Sequence, residues 1–123
     1  MSEQKLQHRP NYTLPEEELL YPGHVACPGC GGSLSMRYAL KALGKDTMVV
    51  IPACCWSIIA GPFPYSSLDV PIYHTAFETT GAVTSGIRAG LQALGKEGIT
   101  VVGWAGDGGT FDIGIQALSL IHI

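Results

Sequence analysis

The sequence predicts an α/β fold, and three observations carry that expectation. Apolar, β-branched runs at Thr47-Met48-Val49-Val50-Ile51, Val70-Pro71-Ile72-Tyr73-His74 and Ile99-Thr100-Val101-Val102-Gly103 read as short buried strands. Segments with helical spacing alternate with them, over 33–43, about 81–94 and 111–118. The third strand runs straight into Trp104-Ala105-Gly106-Asp107-Gly108-Gly109-Thr110-Phe111. A glycine-rich turn between a strand's carboxyl end and a helix's amino end is where α/β folds bind phosphates.

Taken in order, residues 1–22 read as an extended arm. Pro10, Pro15 and Pro22 break helices there, and only Leu14–Leu20 has the makings of a short one. In the helix of residues 33–43, Leu34, Tyr38 and Ala42 line one face, Ser33 is a candidate cap and Gly44 ends it. The first strand stops at Pro52, and residues 57–68 read as a loop rich in proline and aromatics. Pro71 suits the start of the second strand or an edge position. Val83, Ile87, Leu91 and Leu94 form the apolar stripe of the next helix, and Gly95 and Gly98 bracket the turn into the third strand.

Composition narrows the function. The 123 residues suit one domain with a real core. Hydrophobic residues make up 46% and charged residues only 14%, which suggests a surface meant to be covered. A formal net charge of −3 gives no footing for nucleic acid. No apolar stretch approaches the roughly 20 residues that span a bilayer, and Met1–Leu6 lacks a signal peptide's apolar core. The expected location is the cytoplasm, so the cysteines are read first as metal or redox residues.

Those cysteines fall in two groups. Cys27-Pro28-Gly29-Cys30 places two sulfurs on one side of a tight turn, which fits half a zinc site, half an iron–sulfur site or a redox pair. A thioredoxin-type pair would follow a strand, and a proline-broken arm precedes this one. Cys54 and Cys55 stand together at the carboxyl end of the first strand. Either alone passes for a small buried residue; with Cys27 and Cys30 they favour a cluster or metal site. Glu78 lies in a strand-to-helix loop, where capping carboxylates are commoner than functional ones, and His74 reads as a strand-end histidine. Asp107 adds negative charge where a phosphate would sit, which makes sense with Mg²⁺ between them. The plain alternative is a tight turn with a capping aspartate.

Over residues 14–119 these features, in this order and spacing, resemble the β subunits of 2-oxoacid:ferredoxin oxidoreductases, most closely the pyruvate synthase type. The resemblance runs through Leu14-Pro15-Glu16-Glu17-Glu18, Gly23–Gly31, Pro52-Ala53-Cys54-Cys55-Trp56, Pro62-Phe63-Pro64-Tyr65, His74-Thr75-Ala76-Phe77-Glu78 and Gly106–Gly114. It implies a doubly wound parallel sheet, the diphosphate-binding half of a thiamine diphosphate fold, occupying residues 23–123 and incomplete at its carboxyl end. By similarity Asp107 holds Mg²⁺, and Cys27, Cys30 and Cys55 ligate a 4Fe–4S cluster. Cys54 takes a position where the family more often has glycine. Ala53, Cys54, Cys55, Trp56, Glu78, Thr79, Gly106, Asp107, Gly108 and Gly109 border the thiamine diphosphate. The aminopyrimidine half-site and its activating glutamate come from an α subunit, so Glu78 does not take that role.

The implied reaction is oxidative decarboxylation of pyruvate with coenzyme A, giving acetyl-CoA and CO₂ and passing electrons to ferredoxin. The alternatives are another 2-oxoacid, such as 2-oxoisovalerate or 2-oxoglutarate, or a non-catalytic zinc-stabilised module. After Ser119 the chain departs from the family pattern. The fourth cluster cysteine and a second metal-ligand segment, both expected downstream, are not in the sequence. A truncated subunit, inactive when isolated, is the expectation.

Overall fold

The computed structural model describes residues 13–121. Its elements follow in the order α1 (Gly31–Leu43), β1 (Thr47–Pro52), α2 (Cys55–Ala60), β2 (Ile72–Thr75), α3 (Thr80–Ala93), β3 (Thr100–Gly103), a π-helical turn (Gly108–Asp112) and α4 (Ile115–Ile121). Among the described residues the sheet is three-stranded and wholly parallel, in the order β2-β1-β3. Val49 is in register with Ile72 on one side and Val102 on the other. The chain therefore adds β2 to one side of β1 and then crosses to add β3 to the other. Because the strands are parallel, the segments after β1, β2 and β3 all leave from the same end of the sheet.

The central strand is buried on both faces. Val49 and Ile51 pack with Met36 and Leu40 of α1, Trp56, Ile59 and Ala60 of α2, and Leu19, Leu20, Leu68 and Val70. Each such side chain contributes about 1.5–3 kcal/mol on burial. The pleat turns Val50 to the opposite face, where its register partner Gly103 lies under α3. A Cβ on Gly103 would stand 2.9 Å from Thr80 Cγ2 and 3.0 Å from Thr84 Oγ1, so glycine here sets how closely α3 lies on the sheet.

Several expectations need correcting. Residues 14–20 carry no helix; this segment is extended, with Leu20 bridged antiparallel to Leu68 and Leu19 in the core. The buried side of α1 is Met36, Leu40 and Lys41, and Leu34, Tyr38 and Ala42 face outward. The expected 57–68 loop begins in a helix: its residues 57–60 belong to α2, which is closed at its start by the Cys54 amide donating to Ser57 Oγ at 3.2 Å. Leu94 is exposed rather than part of the α3 stripe. The expected helix at 111 begins earlier, as the π-helical turn, and α4 runs on to Ile121. Of the expected arm, residues 1–12 lie outside the described residues, as do 122–123. No helix among the described residues is long and apolar enough to cross a membrane.

Candidate functional site

The segments leaving the carboxyl ends of the strands meet through aromatic side chains. After β1 come Ala53, Cys54, Cys55 and Trp56; after β3 come Trp104, Ala105, Gly106 and Asp107. The indoles of Trp56 and Trp104 make an edge-to-face pair with centroids 6.1 Å apart and planes at 82°. The Trp104 amide donates to Val50 O at 2.8 Å, which anchors the ring beside β1. After β2, Phe77 lies on the glycine turn: a Cβ on Gly108 would stand 3.0 Å from its Cζ, and one on Gly109 3.4 Å from its carbonyl oxygen. Glu78, next in the chain, is exposed beside this contact.

The Cys27–Cys30 turn joins the same assembly. The Cys30 amide donates to Cys27 O at 3.0 Å, closing the turn at the head of α1. A Cβ on Gly32 would lie 3.4 Å from Trp56 Nε1 and 3.5 Å from Cys30 Sγ. Trp56, only 5% exposed, thus stands beside Gly32 at the head of α1 on one side and pairs with Trp104 on the other. The Ser33 amide, with the Gly32 amide adding to it, holds the Cys30 thiol below its usual range against a smaller opposing effect of burial. That is the thiolate-favouring setting of a helix amino terminus.

The four cysteines are free thiols. Cys27 and Cys55 are exposed and Cys30 half-buried, while Cys54 packs against the core. Ala53, Gly106 and Asp107 are exposed, Gly108 is half-buried and Gly109 buried. The Thr79 hydroxyl donates to Ala76 O at 3.0 Å and meets the Thr75 hydroxyl, so it is engaged locally. Thr110 Oγ1 donates to Gly106 O at 2.7 Å and stiffens the glycine turn. Among the described residues no three His, Cys, Asp or Glu side chains converge as a set able to hold one metal ion. The structure therefore brings together Ala53–Trp56, Gly106–Gly109 and the loop of Glu78, with the Cys27–Cys30 turn alongside. Trp104, Phe77 and Gly32 were not among the expected site residues. Each lies within three residues of an expected one, and Trp104 and Phe77 stand inside the motif stretches themselves.

No protein-family model matches the chain. Among curated proteins, it is 65% identical over 112 residues to the ketoisovalerate oxidoreductase subunit VorB of Pyrococcus furiosus, covering 87% of this chain and 36% of that protein. It is 49% identical over 106 residues to the pyruvate synthase subunit PorB of Methanothermobacter thermautotrophicus, covering 86% and 37%. Against the PorB subunit of Methanocaldococcus jannaschii the identity is 44% over 112 residues, covering 85% and 38%. The chain spans a little over a third of the length of these curated relatives. With this identity running through nearly all of its sequence, the chain belongs to the β subunits of the 2-oxoacid:ferredoxin oxidoreductases.

Proposed function

We propose that this chain supplies the diphosphate end of a thiamine diphosphate site and part of the ligand set of a 4Fe–4S cluster, within an enzyme that oxidatively decarboxylates a 2-oxoacid and reduces ferredoxin. The observation that carries this is the Trp56–Trp104 contact, which sets the cysteine-bearing end of β1 beside the Gly-Asp-Gly end of β3. These two strands neighbour each other where the chain reverses direction across the sheet. A doubly wound fold binds its ligands at that point. The thiamine diphosphate-binding domain is assigned to residues 23–123, behind an arm at 1–22 whose Leu19 and Leu20 pack into the core.

The donor chemistry fits both groups. Asp107 presents an exposed carboxylate, the hard oxygen ligand that Mg²⁺ takes, and the space over Gly106 is open. Cys30 is biased toward thiolate, and Cys27 and Cys55 are accessible. Cys54 packs inward, which supports Cys55 as the third ligand. When bound, thiamine diphosphate supplies the carbanion chemistry on the 2-oxoacid, and the cluster carries single electrons away. The chain's own part is to hold both groups, with Trp56 and Trp104 keeping water from the space between them.

The relatives support a choice of substrate. Identity of 65% with a ketoisovalerate oxidoreductase subunit, against 49% with a pyruvate synthase subunit, supports 2-oxoisovalerate as the acid. Pyruvate, the first expectation from sequence, is the second reading. The partners in this proposal are an α subunit with the aminopyrimidine half-site, coenzyme A and ferredoxin, in the cytoplasm. In the complete enzyme, Asp107→Asn is expected to weaken Mg²⁺-dependent thiamine diphosphate binding about tenfold, since an amide offers the cation less charge. Unchanged affinity across a Mg²⁺ titration would return Asp107 to a turn-capping role. A kcat/KM higher for 2-oxoisovalerate than for pyruvate is the expected preference, and the reverse order would restore pyruvate.

A further inference from the structure

The glycines around Asp107 are not equivalent. None of Gly106, Gly108 and Gly109 has a positive φ, so the backbone itself does not demand glycine at any of them. What a side chain would meet separates them. A Cβ on Gly106 would stand in open space, with nothing within 4 Å. One on Gly108 would stand 3.0 Å from Phe77 Cζ, closer than the roughly 3.5–4.0 Å at which carbon atoms pack. One on Gly109 would lie 3.4 Å from Phe77 O and 3.6 Å from Phe77 Cε2. The Phe77 ring therefore fills the room that Gly108 leaves bare. It is carried by the turn Ala76–Thr79, closed by the Thr79 amide donating to Ala76 O at 3.1 Å and by its hydroxyl donating to the same oxygen at 3.0 Å. From within its own turn, Gly108 O accepts from the Ile113 amide at 3.1 Å. Gly108 is thus fixed on two sides, and Asp107 is joined directly to it.

We infer that Phe77 is a positioning residue for the cofactor: its ring, packed where Gly108 has no side chain, sets the place of the Gly108 main chain and of the Asp107 carboxylate beside it. This rests on the thiamine diphosphate assignment proposed above. Gly108 is then glycine in order to admit Phe77, and not in order to let a phosphate approach its Cα. A methyl there displaces ring or turn by a few tenths of an ångström, and Mg²⁺, which demands near-ideal octahedral geometry, is sensitive to where its carboxylate stands.

The test is a double-mutant cycle on the complete enzyme, depleted of cofactor, with thiamine diphosphate binding in Mg²⁺ measured by equilibrium dialysis. Gly108→Ala and Phe77→Leu are each expected to weaken binding about tenfold, the scale of coupling between residues in contact. Leucine lacks Cζ and both Cε atoms, so it frees the space that the alanine methyl needs. The double variant is therefore expected to bind no more weakly than Phe77→Leu alone. That non-additivity is what a general loss of folding would not produce. Should Gly108→Ala fail to assemble, assembly restored by adding Phe77→Leu is the expected outcome, and no restoration would overturn the inference. A further tenfold loss in the double variant would show that Gly108 must be bare for the phosphate itself, and Phe77→Leu with the parent's affinity would show that the ring positions nothing; either overturns the inference alone. A parent enzyme whose thiamine diphosphate binding is unaffected by Mg²⁺ and by Asp107→Asn would overturn the assignment of Asp107, and this inference with it.

Discussion

Lys41 shows how far one side chain's surroundings can depart from its sequence context. Its ammonium is almost fully buried, donating to Pro15 O at 2.7 Å and Glu17 O at 3.0 Å and pairing with Glu18 Oε1 at 2.9 Å. Arg37 Nε donates to Glu18 Oε2 at 2.8 Å. Together, Arg37 first and Lys41 second, they lower the Glu18 carboxyl from 4.5 to about 2. The folded value lies below the unfolded one, so the Glu18 contribution is complete above about pH 4.5 and is lost as pH falls toward 2. Urea unfolding over that interval is expected to show the parent losing stability more steeply than Glu18→Gln, and parallel curves would refute the linkage. Lys41→Met leaves the Pro15, Glu16 and Glu17 carbonyls and the Glu18 carboxylate without their cation and is expected to cost about 2 kcal/mol, read as a drop in the urea midpoint. None of this was legible in the sequence, where a lysine late in a helix reads as solvated. The cysteine turn, Cys55 and Asp107 were legible as candidates, because the chemistry that singles them out is local to a few adjacent residues. Trp104 and Gly32 were not, since their roles exist only once two strand ends and a helix head are side by side.

At the scale of elements, the strands could be read because β-branched runs bounded by Gly and Pro have few other outcomes. The face of α1 could not. Leu34 with Tyr38 and Met36 with Leu40 both satisfy the four-residue spacing, and the choice falls to Lys41 and Arg37, which tie the outer segment to one side. The six-residue α2 carries too little periodicity to announce itself, and its start depends on the bond from the Cys54 amide to Ser57. Close approach of α3 to β3 yields two stability predictions. Gly103→Ala pushes a methyl against Thr80 and Thr84 and is expected to cost about 1–3 kcal/mol. Thr80 Oγ1 is buried with no hydrogen-bond partner among the described residues. Thr80→Val keeps the shape, removes that orphaned hydroxyl and is expected to stabilise by about 1 kcal/mol. Thermal or urea unfolding of both variants checks the pair; a stabilised Gly103→Ala or a destabilised Thr80→Val would show the packing to be otherwise.

For the whole molecule, the low charged fraction has a visible counterpart in exposed apolar side chains. Phe63 is 95% exposed, Tyr65 82% and Ile58 70%, clustered around the loop between α2 and β2. Such a patch predicts association, and sedimentation of the isolated chain is expected to show concentration-dependent self-association that Phe63→Ser with Tyr65→Ser reduces. A monodisperse monomer at high concentration would count against it. The α/β class and the family both follow from a handful of short motifs, most of whose residues lie at one end of a parallel sheet.

The central claim is that this end of the sheet carries ligands for an iron–sulfur cluster beside a thiamine diphosphate site. The most direct measurement is iron content, with visible absorption, of the complete enzyme prepared anaerobically with single cysteine substitutions in this chain. Cys27→Ser, Cys30→Ser and Cys55→Ser are each expected to lose most of the iron of one cluster, since a hydroxyl replaces a thiolate ligand, while Cys54→Ala retains it. Full iron content in all three serine variants would contradict the account.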